Sequence, residues 1–120
     1  MKFSILTLFP EIFPGPLNFS VIGNAFKNKK FQIEVHDIRK FSNTKSKKVD
    51  DSPFGGGAGM VIKPDVLQNS LNFVKNNSKA KRLQTVYLSP SGKSLNQKII
   101  KKQLFYDEII LICGRYEGID

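Results

Sequence analysis

The sequence predicts an α/β fold in which a mostly parallel sheet carries helices on both faces. Strand-like apolar segments alternate along the chain with segments whose apolar residues recur at helical spacing, which is typical of parallel strands joined by helical crossovers. The first and last strand-like segments are almost continuously apolar, as are strands that helices cover on both sides. With 120 residues and 40% hydrophobic content, the chain fits one domain with its own core.

The first half of the chain predicts a strand, a helix and a second strand. Residues 2–9 form the first apolar run. Apolar residues at helical spacing then predict a helix over about 16–29, because Pro16 suits a first helical turn. Residues 32–38 alternate only partly, which indicates a strand nearer the edge of the sheet. Residues 39–63 show neither period, and an irregular stretch of this length is usually functional or disordered.

The second half predicts two helices, each followed by a buried strand. Pro64 opens a helix that ends near residues 76–78, and a strand follows over 83–88. Ser94 and Gln97 form a capping box, which predicts a helix from Ser94 to about residue 104. The apolar run 109–113 is the last strand. Because this helix is the crossover between two parallel strands, the loops that follow both strands should meet at one carboxyl edge, where such sheets bind ligands.

Charge and cysteine content narrow the class of protein. The net charge of +9 favours a polyanionic partner such as nucleic acid, although scattered surface lysines explain it equally well. Lys45, Lys47 and Lys48 differ because they lie in an almost wholly polar segment, which predicts a mobile basic loop. No apolar stretch approaches a membrane span. Cys113 is the only cysteine and lies in an apolar run, so a buried, reduced thiol and a cytoplasmic location are expected.

The segment 55–59 holds four glycines in five residues, which lets the backbone approach a ligand closely. It lacks the Gly-Lys-Ser/Thr end of a phosphate-binding P-loop and the spacing of a dinucleotide-binding loop. A flexible loop without chemistry is the plain alternative. The preceding Asp50 and Asp51 diverge on an extended chain, so local hydrogen bonding is favoured over a metal pair. His36 is the only histidine and is expected to be an ordinary surface residue, so no metal site is predicted.

The terminal octet 113–120 follows the last strand and is rich in groups that contact a nucleobase. Tyr116 can stack on a base, and Glu117 can accept hydrogen bonds from the Watson–Crick edge of guanine. The plain alternative is a polar turn that closes a strand. On these residues alone, three interpretations stay open: a base-modifying enzyme, a basic RNA-binding module without catalysis, and an enzyme that uses the glycine segment to bind nucleotide phosphates.

Four motifs in family order give the chain a close resemblance to the bacterial tRNA (guanine-N1)-methyltransferase family TrmD, of the SPOUT class. The motifs are Leu-Phe-Pro-Glu at 8–11 with Phe13, Val-Asp-Asp at 49–51 with Pro-Phe-Gly-Gly-Gly-Ala-Gly-Met at 53–60, Val-Tyr-Leu-Ser-Pro at 86–90 with Gly92, and Cys-Gly-Arg-Tyr-Glu-Gly-Ile-Asp at 113–120. The resemblance implies a fold with a deep trefoil knot, a rare exception to the rule against knots. It also implies a homodimer with sites at the subunit interface.

The resemblance further implies transfer of a methyl group from S-adenosylmethionine to N1 of the guanosine 3′ of the anticodon in tRNA. The glycine segment, with Gly59, would cover the pocket. Glu117, Arg115 and Asp50 would contact the guanine substrate. The bent cofactor would be held by residues of the third and fourth motifs together with Gly59: Tyr87, Leu88, Ser89, Pro90, Gly114, Tyr116 and Gly118.

Family members continue well beyond the octet, which ends at Asp120. The later part of their sequences completes the knot and supplies the proposed general base (an aspartate) and a helical tRNA-binding domain. The general base is therefore expected beyond Asp120. The 120 residues are expected to form an amino-terminal, truncated SPOUT domain with part of the cofactor site and no catalytic residue of its own. The alternative is that this chain acts alone as an inert, basic RNA-binding fragment.

Overall fold

The computed structural model describes residues 1–42, 50–51, 61–88, 95–113 and 118–119. The strands are β1 Lys2–Thr7, β2 Gln32–Asp37, β3 Asp50–Asp51, β4 Val61–Ile62, β5 Leu83–Leu88, β6 Glu108–Cys113 and β7 Gly118–Ile119. The helices are α1 Ser20–Lys27, α2 Pro64–Asn77 and α3 Gln97–Gln103. Short 3-10 turns cover Pro10–Ile12, Gly15–Asn18 and Ile38–Phe41. No helix in the described ranges is long and apolar enough to cross a membrane.

Four strands form the parallel sheet that the sequence predicts. Their order is β2-β1-β6-β5, so β2 lies at an edge of the sheet as expected. All three pairings are parallel, with Lys2 opposite both Gln32 and Glu108. β5 and β6 are adjacent, and α3 lies between them in sequence as the crossover. The predicted architecture, including the edge position of β2, is confirmed.

The core lies between one face of this sheet and α2. Leu6, Ile110 and Ile112 project from the central strands and are almost completely buried. The helix contributes Val66, Leu67 and Val74 from one face, which agrees with the helical spacing of those residues in the sequence. Burial of this apolar surface is the main force that holds α2 on the sheet.

The opposite face carries α1, which begins later than the spacing predicts. The predicted helix 16–29 is wrong at its start, because Phe19 is extended and Ser20 has a φ of 61°. Pro16 lies instead in the 3-10 turn Gly15–Asn18. Gly23 is the only buried residue of α1 and packs against the backbone of Asn18. The helix and the preceding turn therefore pack on each other through a position that has no side chain.

α3 also begins later than its predicted capping box. Its first residue is Gln97, and the side chain of Asn96 caps it by accepting a hydrogen bond of 2.9 Å from the backbone N–H of Ile99. Asparagine caps a helix as well as serine does, so Asn96 can take the role that was predicted for Ser94. Leu95, expected on the apolar side of the helix, precedes it and is 72% exposed. Ser94 lies outside the described residues.

The described parts of the stretch 39–63 contain regular elements that the sequence did not predict. A 3-10 turn covers Ile38–Phe41, and β3 and β4 pair in antiparallel register. β4 in turn pairs in parallel with β7, so that a small second sheet has the order β3-β4-β7. Two-residue strands are too short to show a period in sequence, which is why neither they nor β7 was predicted.

Candidate active site at the carboxyl edge of the sheet

The candidate site lies where β5 and β6 end side by side. Leu88 and Cys113, the last residues of the two strands, are directly opposite each other in parallel register. The sequence predicted this adjacency, and the register confirms it. Tyr87 and Leu88 are 40% and 50% exposed although Ile112, next to them, is buried. The end of β5 therefore exposes a phenol ring and an apolar side chain, which project from opposite faces of the sheet because successive strand residues alternate.

β1 and β2 end at the same edge of the sheet. After each of them the chain turns, and a local hydrogen bond stabilises the turn. The buried hydroxyl of Thr7 accepts a hydrogen bond of 3.0 Å from the N–H of Phe9. The carboxylate of Asp37 accepts one of 2.9 Å from the N–H of Arg39 and caps the following 3-10 turn. Both side chains thus shape the turns by which the chain leaves this edge.

The thiol of Cys113 lies at the end of β6 and is half-buried. The apolar residues around it in the sequence had predicted a buried thiol. Partial burial raises the pKa of this thiol above its ordinary value, because the thiolate is poorly solvated there. A thiol that stays protonated at neutral pH is a weak nucleophile. Cys113 is thus a packing residue at the edge of the site.

The small second sheet joins the two sequence motifs through the backbone. β3 and β4 flank residues 52–60, which contain the glycine segment. β4 also pairs with β7, so that Val61 is opposite both Asp51 and Gly118. The backbone of the Asp50–Asp51 strand thereby lies two strands from Gly118, a separation of about 10 Å. The glycine segment and the terminal octet are anchored to one structural unit.

Several predicted site residues cannot be placed. Outside the described residues lie Gly59, Ser89, Pro90, Gly114, Arg115, Tyr116, Glu117 and Asp120, together with the predicted basic loop that contains Lys45, Lys47 and Lys48. For Asp50 and Gly118 the structure gives the strand position of the backbone. Tyr87 and Leu88 are the two predicted contacts whose surroundings are known.

The general base has no candidate among the described residues at this edge. It is expected beyond Asp120, the last residue of the sequence, and that expectation stays a prediction. Asp37, a carboxylate at the same edge, is engaged by the backbone N–H of Arg39. Asp37 thus uses one carboxylate oxygen to cap the 3-10 turn, and the side chains described at this edge mainly offer a surface for binding.

An apolar groove of about 490 Å³ lies between α3 and the sheet. Val86, Leu88 and Leu111 line it from the sheet, and Ile99 lines it from α3. Gln103 is its one polar lining residue, and its side-chain carbonyl oxygen is buried without a hydrogen-bond partner among the described residues. An apolar wall of this kind can pack against a ligand but cannot read the edge of a nucleobase, so the polar contacts must come from the loops.

His36 is more buried than expected for a surface residue. Its Nε2 lies 2.9 Å from a carboxylate oxygen of Glu34, without the angle of a hydrogen bond, and its ring meets Phe73 edge-on at 6.2 Å. Within the described ranges, no three His, Cys, Asp or Glu side chains lie together as possible metal ligands. His36 therefore belongs to the contact between β2 and α2.

One buried polar cluster was missed in the sequence. Glu108 is 3% exposed, and its carboxylate accepts hydrogen bonds from Ser4 (2.6 Å) and Ser78 (2.7 Å). The cluster lies at the amino-terminal edge, opposite the candidate site. A serine inside the first apolar run and a glutamate before the last one were the available signals, but only the strand register brings them together.

Comparisons with known proteins agree with the resemblance. Residues 1–120 match the model of the family described as tRNA (Guanine-1)-methyltransferase TrmD. The tRNA (guanine-N(1)-)-methyltransferase of Ehrlichia canis is 46% identical over 120 residues, which are all of this chain and 50% of that protein. The enzyme of the same name from Clostridioides difficile is 42% identical over 120 residues, again the whole chain and 52% of that protein.

A solved structure supports the same family assignment. The crystal structure of the tRNA (m1G37) methyltransferase from Aquifex aeolicus superposes with a TM-score of 0.80 at 36% identity and covers 100% of this chain and 53% of its own. The chain thus spans about half the length of the relatives it matches. Because the family model matches every residue from 1 to 120, the chain belongs to the tRNA (guanine-1)-methyltransferase family TrmD.

Proposed function

We propose that this chain forms part of the cofactor site of a tRNA (guanine-N1)-methyltransferase that uses S-adenosylmethionine. The observation that carries the proposal is the side-by-side ending of β5 and β6 in a chain that matches the family over its whole length. Ligands of open parallel sheets bind at this edge. The relatives named for this activity are about twice as long, so the activity is proposed for the full-length protein.

The cofactor is proposed to lie against the end of β5 and the loops that follow β5 and β6. Tyr87 and Leu88 fit this role because they are exposed at the edge, where a ligand can reach them. Ser89 and Pro90 would continue the contact from one loop, and Gly114, Tyr116 and Gly118 from the other, with Gly59 covering the pocket. S-adenosylmethionine supplies a methyl group on a positively charged sulfur. The protein contributes the orientation of the two reactants.

Guanine is proposed to bind beside the cofactor through Glu117, with Arg115 and Asp50 as further contacts. N1 of guanine carries a proton and is a weak nucleophile, so a base must remove that proton when the N1–methyl bond forms. Glu117 would accept from the base edge and fix its position, and the general base would come from residues beyond Asp120. The residues 1–120 are proposed to act as the cofactor-binding domain, in the cytoplasm, where the tRNA substrate is found.

A homodimer is proposed because the chain exposes large apolar residues near its first helix. Ile12 is 57% exposed, Phe19 71% and Val21 79%. Apolar residues that are exposed side by side often mark an interaction surface, whereas single exposed apolar residues are common on any protein. Sedimentation of the full-length protein tests this, with a dimeric mass as the expected result and a monomeric mass at micromolar concentration as the contrary one.

Replacement of Gly114 by valine tests the cofactor site. A side chain at the end of β6 is expected to enter the proposed cofactor space, so Gly114→Val in the full-length protein should weaken S-adenosylmethionine binding at least about tenfold, the effect of losing roughly 1.4 kcal/mol. Calorimetric titration measures it. The control, Cys113→Ala, changes the adjacent residue and should retain binding.

The same titration separates the alternatives. ATP should not bind measurably, since the glycine segment lacks the features of a phosphate-binding loop. If ATP binds and S-adenosylmethionine does not, the protein is a nucleotide-binding enzyme of another kind. If Gly114→Val binds the cofactor as tightly as the native protein while keeping its fold, the proposed site is wrong.

A further inference from the structure

The amino-terminal edge of the sheet, opposite the candidate active site, collects lysines that are scattered in the sequence. In a parallel sheet with helical crossovers, every helix-to-strand turn returns to this edge. The turn between α1 and β2 brings exposed Lys27, Lys29 and Lys30, and the turn between α2 and β5 brings exposed Lys79 and Lys81. These five lysines are called the basic strip below.

The acidic residues of the same edge are already engaged. Glu34 pairs with Lys2 at 2.7 Å, and Glu108 accepts hydrogen bonds from two serine hydroxyls. The carboxylate of Asp107 accepts from the backbone N–H groups of Lys81 and Arg82, each at 3.2 Å. No lysine of the basic strip has a carboxylate within ion-pair distance in the part of the chain that the structure describes. These hydrogen bonds leave the negative charge of each carboxylate in place, but the five lysines of the strip outnumber Glu34, Asp107 and Glu108, so this edge keeps a net positive charge.

Two hollows lie beside the strip, and each of them is lined by one of its lysines. A hollow of about 450 Å³ is lined by Lys29, Phe26 and Phe31, whose two rings stack at 5.6 Å. A second hollow of about 340 Å³ is lined by Lys79 and Asp107. Lys2 and Gln32 line both, so the two hollows adjoin along the edge. Phe26 and Phe31 are half-buried, and lysines beside aromatic rings are a common composition of surfaces that bind RNA.

The backbone at Lys29 is a second, independent observation. α1 ends in a Schellman motif, with hydrogen bonds from the N–H of Lys30 to the carbonyl of Ala25 and from the N–H of Lys29 to that of Phe26. The motif gives Lys29 a φ of 59°, the left-handed region in which glycine is the unstrained residue. The motif places Lys29 in the turn between α1 and β2, where its backbone conformation can be tested separately from its charge.

We propose that the basic strip is a second contact surface for the backbone phosphates of the RNA substrate. The two edges of the sheet are about 20 Å apart, since each strand has six residues that rise about 3.3 Å each. A single nucleoside or the cofactor does not span that distance, whereas a folded RNA does. The strip positions RNA without reading its sequence. This inference rests on the proposed function, because that function supplies the RNA.

Binding of unmodified tRNA by the full-length protein, measured by fluorescence anisotropy across a potassium chloride series, tests the strip. The double variant Lys30→Gln with Lys79→Gln should lower the slope of log affinity against log salt by about one unit per lysine, and weaken binding about tenfold at moderate salt. Lys101→Gln is the matched control, because Lys101 is an exposed lysine on α3 that belongs neither to the strip nor to the proposed site, and its slope should match the native one.

Lys29→Gly gives a test in which two readouts move in opposite directions. Relief of the left-handed backbone should raise the melting temperature by about 3 °C, while loss of the charge should weaken tRNA binding several-fold. A stabilised variant with native tRNA affinity, or a double variant with the native salt slope, overturns the proposal and leaves the lysines as complements to the helix C-termini.

A failure of the proposed function gives a different experimental result from a failure of the basic strip. S-adenosylmethionine affinity and the turnover at saturating tRNA should be native in every strip variant, since none of these lysines lies at the carboxyl edge. If the native protein bound tRNA with the expected salt slopes but did not methylate it, the proposed function would fall and the strip would stand. If it methylated tRNA and the slopes did not change, only the strip would be lost.

Discussion

Glu108 shows at the scale of single residues how a buried charge is tolerated in this sheet. It is the first residue of β6, it is 3% exposed, and both of its carboxylate oxygens accept hydrogen bonds from serine hydroxyls. A buried carboxylate is stable only when such donors replace water. Ser4 belongs to β1 and Ser78 follows α2, so this one side chain links three segments. The sequence showed these residues individually, but their partnership depends on the register between β1 and β6.

Replacing Ser4 by alanine should destabilise the fold by about 1.5–3 kcal/mol, because a buried carboxylate oxygen then loses its hydroxyl donor. Urea denaturation at neutral pH measures the free energy of unfolding. Ser70→Ala is the matched control: Ser70 is equally buried, but its hydroxyl donates to the backbone carbonyl of Leu67, an uncharged acceptor, so the expected cost is about 1 kcal/mol or less. Equal costs for the two variants would contradict the account.

The pair of Lys2 and Glu34 predicts a weak dependence of stability on pH. The hydrogen bond from Lys2 lowers the pKa of Glu34 below its ordinary 4.5, and the same bond raises the pKa of Lys2 above 10.5. Because the pKa of Glu34 is lowered, the stabilisation that the ion pair gives to the folded state is present above pH 4.5 and is lost as the pH falls through the pKa of Glu34 in the folded protein. Because the pKa of Lys2 is raised, the same stabilisation is present below pH 10.5 and is lost as the pH rises through the pKa of Lys2 in the folded protein.

Glu34→Gln should therefore destabilise the protein by at most about 0.5 kcal/mol at pH 7 to 9, since half of the Glu34 side chain is exposed to solvent. Thermal unfolding of both proteins across the pH range measures the difference, which should vanish in acid. A difference that instead grew as the pH fell below 4 would show that the direction of the Glu34 pKa shift is wrong.

At the scale of elements, the sequence predicted what is long and periodic. The four strands of the parallel sheet and α2 were predicted because their apolar patterns span five or more residues. The starts of α1 and α3 were missed, because Pro16 lies in a 3-10 turn before α1 and because Asn96, two residues after the predicted Ser94, caps α3. β3, β4 and β7 were missed because a two-residue strand exists only through its partner. The same holds for the predicted site. Its position at the strand ends follows from the apolar pattern of the sequence, whereas the contacts of its loop residues do not follow from that pattern.

Gly23→Ala tests the packing of α1 on the turn before it. A methyl group at this buried position would collide with the backbone carbonyl carbon and oxygen of Asn18, which cannot move aside as a flexible side chain can. The expected cost is about 1–3 kcal/mol, although alanine is the better helix former. Asn24→Ala, at the next and exposed position, should be neutral or slightly stabilising. If Gly23→Ala is as stable as the native protein in urea, the contact is wrong.

At the scale of the whole molecule, the two edges of the sheet have different compositions. The carboxyl edge carries the exposed end of β5 beside the end of β6, and the amino edge carries the basic strip. The sequence predicted the first because strand order and loop position follow from alternating patterns. It did not predict the second, since lysines 50 residues apart meet only when both helix-to-strand turns return to one edge. Family membership joins both edges to one substrate, tRNA, as a proposal about the full-length protein.

The central claim is tested most directly by the product that the full-length protein forms from unmodified tRNA and S-adenosylmethionine labelled in its methyl group. Mass spectrometry of the digested tRNA identifies the modified nucleoside and its position, and a tRNA with adenosine in place of the guanosine 3′ of the anticodon is the control. We expect one methyl group per tRNA, at N1 of that guanosine, and none in the control. Transfer to another atom or another nucleotide, or no transfer to a correctly folded tRNA, would contradict the account.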